Sequence, residues 1–131
     1  MIFTAQLTDH VKEPTLLGLE DAPAAVGTQT FVVHNPSTGA LLATLPDMGL
    51  AETRAAIDAA ATAQIAWAAR PARERSAILR RWHDLILAHI DDLAAVLTAE
   101  MGKPLSESKS ELQHAAAYIE WYAEEAKRVY G

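Results

Sequence analysis

The sequence contains no cysteine. That absence excludes a disulfide framework, a thiolate metal site and a cysteine nucleophile within its 131 residues. Long hydrophobic runs are missing as well. No window approaches the ~18 apolar residues of a membrane-spanning helix, and the N-terminus lacks the basic-then-apolar order of a secretory signal. A soluble cytoplasmic protein with no membrane partner is the expectation. Basic charge is scarce, with 11 Lys plus Arg against 17 Asp plus Glu and a formal net charge of −6. A non-specific nucleic-acid surface needs clustered cations to displace counterions, so no nucleic-acid partner is expected. Bulky side chains are also few. Hydrophobic residues make up 50% of the chain, but alanine supplies much of that share and aromatics only 6%. Alanine buries little area, so the core must draw on a short list of Leu, Ile, Val and three Trp. The length fits one domain.

What is present falls into four stretches. Residues 1–28 show no clear period and are punctuated by Pro14, Gly18, Pro23 and Gly27, which suggests an arm with one short strand near residues 15–19. Residues 30–46 predict a β-hairpin: Thr30-Phe31-Val32-Val33-His34 and Ala40-Leu41-Leu42-Ala43-Thr44-Leu45 flank the turn formers Asn35-Pro36-Ser37-Thr38-Gly39. The period then becomes helical. Ala56, Ala60, Ala63 and Trp67 form one stripe of a helix over about residues 50–70, stopped by Pro71. A second helix is expected over about 72–100 with a break near His89, its apolar stripe being Ile78, Trp82, Leu85, Ile86, His89, Leu93, Val96 and Leu97. Gly102 and Pro104 mark a cap and a fresh start. A third helix then spans about 105–130, with Leu112, Ala115, Ala116, Ile119, Tyr122, Ala123 and Ala126 inward and Glu124 reaching Arg128. The domain division follows: an arm over 1–28 and a helical part over 29–131. The abrupt stop at Gly131 after a helix reads as a cut.

Chemistry-bearing motifs are scarce. No G-x-G-x-x-G, P-loop or H-E-x-x-H occurs. The five histidines, His10, His34, His83, His89 and His114, share no i+3 or i+4 spacing, so no metal site is expected, and His83 and His89 read as partly buried, hydrogen-bonded residues. Ser37 and Thr38 are explained by their turn. Asp91 and Asp92 point about 100° apart on a helix and read as solvated charge. Arg70, Arg73, Arg75, Arg80 and Arg81, interrupted by Glu74 and Asp84, read as a solvated face with local ion pairs. Glu100 and Lys103 form either a small acid–base pair or an ordinary helix end.

The ordered set of segments nevertheless resembles a family. F-V-V-x-N-P-S-T-G-x-L-L-A-T-L-P, then D-M-G-x-x-E-T-R-A-A-I, R-S-A-I-L-R-R-W-H-D-L-I, E-M-G-K-P-L-S-E-S-K-S-E-L and I-E-W-Y-A-E-E-A-K-R-V-Y-G follow one another as in the aldehyde dehydrogenase superfamily. The last segment is similar to that of succinate-semialdehyde dehydrogenases. The match covers about residues 31–131. The arm departs from it, since Leu16-Leu17-Gly18-Leu19-Glu20 stands where such enzymes carry a strand resembling Y-I-x-G-x-W.

The resemblance implies a fold class: mainly α with an N-terminal β-hairpin, as the N-terminal part of an α/β, Rossmann-like aldehyde dehydrogenase fold. It implies NAD or NADP as cofactor, a small-molecule aldehyde as substrate, with succinate semialdehyde favoured, and a homo-oligomer when full length. In the family a Cys thiolate attacks the aldehyde, backbone and Asn donors stabilise the adduct, hydride passes to the nicotinamide and a Glu activates water. Those positions would all follow residue 131, so no catalytic and no cofactor-binding residue is expected here, and the chain alone is expected inactive and without cofactor. One partial transfer remains. The helix over 105–130 would border the substrate tunnel with Ser110, His114 and Ala117, and His114 would attract an acidic substrate. Glu100, Gly102, Lys103 and Glu111 match positions taken as structural. The alternative is a non-catalytic helical interaction module that docks through Ala56, Ala60, Ala63, Ala115 and Ala116.

Overall fold

β-Branched and aromatic side chains extend the backbone from Thr30, and a turn of Asn, Pro and Gly folds it back on itself. The structure, a computed structural model, describes residues 2–3, 5–13, 16 and 29–128. Its elements are strand β1 (Ile2–Phe3), helix α1 (Ala5–Thr8), strands β2 (Thr30–His34) and β3 (Leu41–Pro46), and helices α2 (Leu50–Ala69), α3 (Ala72–Ala88), α4 (Ile90–Met101) and α5 (Leu105–Glu125). Two compact units emerge, one of Met1–Asp47 with His89–Gln113, the other of Met48–Ala88 with His114–Gly131. The expected boundary between arm and helical part falls at the edge of the described residues. The expected strand at 15–19 lies outside them, Leu16 apart.

In the first unit β3 is the middle strand of an antiparallel sheet ordered β1-β3-β2. β2 pairs with β3 from Thr30↔Pro46 to Val33↔Ala43 and slips by a residue before His34↔Leu41. The turn is built as its composition requires. Asn35 Oδ1 accepts from the backbone N–H of Ser37 at 2.9 Å and of Thr38 at 3.3 Å, and Gly39 takes a φ of +71°. β1 adds Ile2↔Thr44 and Phe3↔Ala43 on the other edge. The arm, read as aperiodic, thus forms a third strand and a helical turn. Its Leu7 and Val11 are buried, packed against Val96 and Ala99.

The break expected near His89 is present, as α3 and α4 are separate helices with His89 capping α4. α4 ends at Gly102, whose φ of +74° lets its N–H donate to the Thr98 carbonyl at 2.8 Å. Pro36 and Ser37 of the hairpin turn press on this glycine, and Ser37 Oγ donates to its carbonyl at 3.1 Å. The following turn of α5 is locked by Ser108, fully buried, against Thr98 through a 2.8 Å hydroxyl pair.

In the second unit several sequence expectations are corrected. α3 protects Ser76, Leu79, Arg80, His83 and Ile86, whereas Ile78, Trp82 and Leu85 of the expected apolar stripe are exposed at 42%, 55% and 47%. Arg80 pairs with Glu120 and Glu124 of α5 on the inward side of α3, and the described residues of this unit bury only small side chains, so nothing there covers the apolar stripe. The arginines are therefore not a face of purely local pairs. Arg75 Nη1 donates to the Ala68 and Arg70 carbonyls at 2.9 and 2.7 Å, closing the open end of α2 before Pro71. α2 itself buries no residue, and Trp67 alone is half-buried. On α5, Ala116 and Ala123 are buried with Ile119 half-buried, while Ala115 and Tyr122, expected inward, face solvent because the buried arc is narrower than the apolar one. α5 stops at Glu125, short of the expected end, so Arg128 pairs with Glu125 and Glu124 takes Lys127 in place of the expected Glu124–Arg128 pair.

Candidate functional site

A helix turns 100° per residue, so positions 114, 117, 118 and 121 fall on one broad face, with 122 at its margin. On α5 that face carries His114, Ala117, Tyr118, Trp121 and Tyr122, which line an open hollow of about 350 Å³. Tyr118, Trp121 and Tyr122 are exposed at 64%, 62% and 61%, a contiguous aromatic surface of the kind that marks a binding site or a covered face. The side of the helix carrying Ala116 and Ala123 is buried. Those small residues let α5 sit close to its neighbours, and the Arg80 guanidinium holds it from α3, bonding Glu120 and, at 2.9 Å, Glu124. These hydrogen bonds raise the Arg80 pKa, Glu120 contributing first.

Of the three residues expected along a substrate route, the structure brings two together. His114 and Ala117 line the hollow. Ser110 is exposed, belongs to the other compact unit and does not line it. Sequence reasoning missed the three aromatics and set Tyr122 inward. The signal that finds them is the run 114, 118, 121, 122, a helical stripe of ring-bearing residues offset from the alanine stripe. The lining offers apolar area, an imidazole, two phenols and an indole N–H. The lining contains neither a thiol nor a carboxylate.

The other sequence candidates resolve into structural roles. Asp92 is not solvated: it is buried and its Oδ2 accepts from the Glu13 N–H at 2.9 Å, so it anchors the arm to the first turn of α4. Asp91 does face solvent and pairs with Lys109 at 2.6 Å. The hydrogen bond from Lys109, then its charge, holds the Asp91 carboxyl below the ordinary range. Lys127 first, then Arg80, lowers Glu124 in the same way. Lys103 pairs with Glu111 and not with Glu100, so the helix-end reading of that run holds. His83 is hydrogen-bonded as expected, Nδ1 lying 2.8 Å from Asp84 Oδ1. Among the described residues no group of three His, Cys, Asp or Glu could hold a metal ion, and no helix is long and apolar enough to cross a membrane.

The link after β3, Asp47-Met48-Gly49, has one glycine and follows an antiparallel strand, so among the described residues this link does not fit a dinucleotide's pyrophosphate.

The ordered segments, the hairpin and the helix succession match the aldehyde dehydrogenase family model over residues 24–131, and the chain belongs to the aldehyde dehydrogenase family. It is 58% identical, over its whole length, to a protein of Sinorhizobium fredii named as a probable succinate-semialdehyde dehydrogenase of the NADP(+) type, covering 28% of that protein. It is 57% identical over 79% of its length to a glutarate-semialdehyde dehydrogenase of Pseudomonas putida, covering 22% of it. Among solved structures, the aldehyde dehydrogenase of Brucella melitensis biovar abortus superposes with a TM-score of 0.83 at 46% identity, over 92% of this chain and 26% of that one. The chain thus spans about a quarter of the length of the curated relatives it matches.

Proposed function

We propose that this chain supplies the N-terminal part of an NAD(P)-dependent aldehyde dehydrogenase that oxidises a short aldehyde with an acidic far end, succinate semialdehyde first, to the carboxylic acid. The reading rests on the near-continuous likeness to semialdehyde dehydrogenases together with one structural observation, the ring-bearing face of α5 at His114, Tyr118, Trp121 and Tyr122. In this reading α5 borders the substrate route. Ser110, His114 and Ala117 lie along it, and the imidazole of His114 attracts the substrate's far carboxylate. The nucleophile, the base and the nicotinamide site belong to other residues of the complete polypeptide, which assembles as a homo-oligomer. The chain 1–131 alone performs no oxidation and holds no cofactor.

Two measurements test this. Purified chain 1–131 with succinate semialdehyde and NADP(+) or NAD(+) gives no increase in reduced cofactor, and any turnover there refutes the division of labour. In the complete polypeptide, His114→Ala raises KM for succinate semialdehyde about tenfold with kcat nearly unchanged, the signature of lost uniform binding. An equal effect on an uncharged aldehyde would remove His114 from carboxylate recognition.

A second reading, a non-catalytic helical interaction module, is favoured by α2, which buries no residue over its whole length. A chain that stays monomeric and melts cooperatively by itself supports that reading. Aggregation relieved by the remaining polypeptide supports the first.

A further inference from the structure

The family model begins at residue 24, yet two of the buried apolar residues of the first unit lie before it, at Leu7 and Val11. These two side chains are 4% and 6% exposed and pack on Val96 and Ala99 of α4. Beneath Leu7 a small hollow of about 100 Å³ is lined by Val33, Leu42, Ala43, Leu45, Val96 and Glu100. The same segment pairs its backbone at Ile2 and Phe3 with Thr44 and Ala43, along the edge of β3 that β2 leaves unoccupied. Its far end is tied down by the buried Asp92 carboxylate on the Glu13 N–H. Strand, apolar pair and polar anchor therefore act at three successive points of one short segment.

We propose that the segment from β1 to Glu13 is an intramolecular strap, which occupies a groove formed by the β3 edge and α4 and guards that edge against pairing with another chain. An uncovered strand edge with apolar neighbours is a template for intermolecular β-pairing. Here β3 has alternating backbone groups on that side, and Leu42 and Ala43 lie in the floor of the groove, so an uncapped edge would offer both hydrogen bonds and apolar area. The groove's recognition chemistry is specific: two residues of extended backbone, then Leu and Val four apart on a helical turn and the loop after it, then a backbone N–H for Asp92. The occupant is this chain's own N-terminal segment.

The strap can be made separable without deleting it. A protease site inserted between Glu13 and Gln29 of the full chain allows cleavage after folding. The strap then co-elutes with the remainder, and a labelled peptide of residues 1–13 exchanges into the complex saturably. Leu7→Ala in that peptide weakens binding at least about tenfold, since truncating a buried Leu removes more than one decade of affinity. The strap-free chain, separated and concentrated, forms dimers or larger species through β3, and in its monomer fraction whichever of Ala43 and Thr44 turns its N–H toward β1 loses hydrogen-exchange protection. In the intact chain, Leu7→Asp combined with Val11→Asp gives the same self-association without cleavage. A strap that departs on cleavage while Ala43 and Thr44 keep the protection of the intact chain would overturn the proposal. So would a strapless chain that stays monomeric.

Discussion

The two compact units use the same alanine-rich material differently. The first closes around itself. Leu7, Val11, Leu42, Ala43 and Ala94 are buried there, and its polar groups at Ser108 and Asp92 are buried with partners. Among its described residues the second buries only small side chains, Ser76, Ala116 and Ala123, and an arginine there pairs with two glutamates. Its large hydrophobics, among them Leu50, Ile57, Ile65, Trp82, Tyr118 and Trp121, stay in solvent. A salt bridge of half-exposed partners contributes little, whereas burial of Leu and Val contributes kilocalories. The difference teaches that the first unit is stabilised by what it encloses, whereas the second leaves its large hydrophobics exposed.

The comparison breaks most readily at Gly102. A Cβ there would lie 2.6 Å from Ser37 Oγ and 2.8 Å from Pro36 Cγ, on a backbone with φ of +74°. Gly102→Ala therefore carries the left-handed penalty of about 1–2 kcal/mol. It also displaces the Ser37 hydroxyl from the Gly102 carbonyl, adding about 1 kcal/mol. A loss of about 2–3 kcal/mol in urea unfolding is expected, with protection falling first at the hairpin and at the end of α4. A neutral outcome would mean that the turn and the helix end do not press on each other in solution.

How far this was legible in the sequence depends on which force decided each element. The hairpin, the stop at Pro71, the break at His89 and the cap at Gly102 follow from local backbone chemistry, and all are visible in one strand of text. Orientation of α3 was not, because hydropathy favours Trp82 and Ile78 inward, whereas the inward side carries Arg80, paired with residues 40 and 44 positions away. No window of sequence contains that pair. Asp92 was misread for the same reason, its partner Glu13 lying 79 residues earlier. The strand β1 is two residues long, too short for any period to show. Of the candidate site, Ser110, His114 and Ala117 came from family likeness; Tyr122 was set inward with the alanine stripe, and nothing local to Tyr118 or Trp121 marks a face.

A smaller effect sharpens the comparison through pH. Asp91 and Glu124 titrate below the ordinary carboxylate range when folded, one in each unit. The unfolded chain then binds more protons across the window between folded and ordinary values, so stability rises with pH there and is lost as pH falls through it. Lys109→Met removes the first and largest cause of the Asp91 shift and flattens part of the acid limb of the stability curve. Both pairs are exposed, so 1 M salt should flatten it similarly. An acid limb unchanged by both would show that these pairs do not form in solution.

The smallest effect is the most informative about the second unit. Ile65 is 75% exposed and Ile57 61% exposed, on a helix that buries nothing. Replacing either by Lys removes no buried area in this chain and leaves helix propensity nearly unchanged, since Lys forms helix at least as well as Ile. The change in unfolding free energy should stay within about 0.5 kcal/mol, as for other surface substitutions. In the complete polypeptide of the proposed enzyme the same substitutions carry the opposite expectation at any position another segment covers, because a buried unpaired ammonium is costly. A lysine scan of α2 read in both settings therefore maps the covered face directly. If Ile57→Lys or Ile65→Lys already unfolds chain 1–131, α2 is packed in solution and the second unit is as closed as the first.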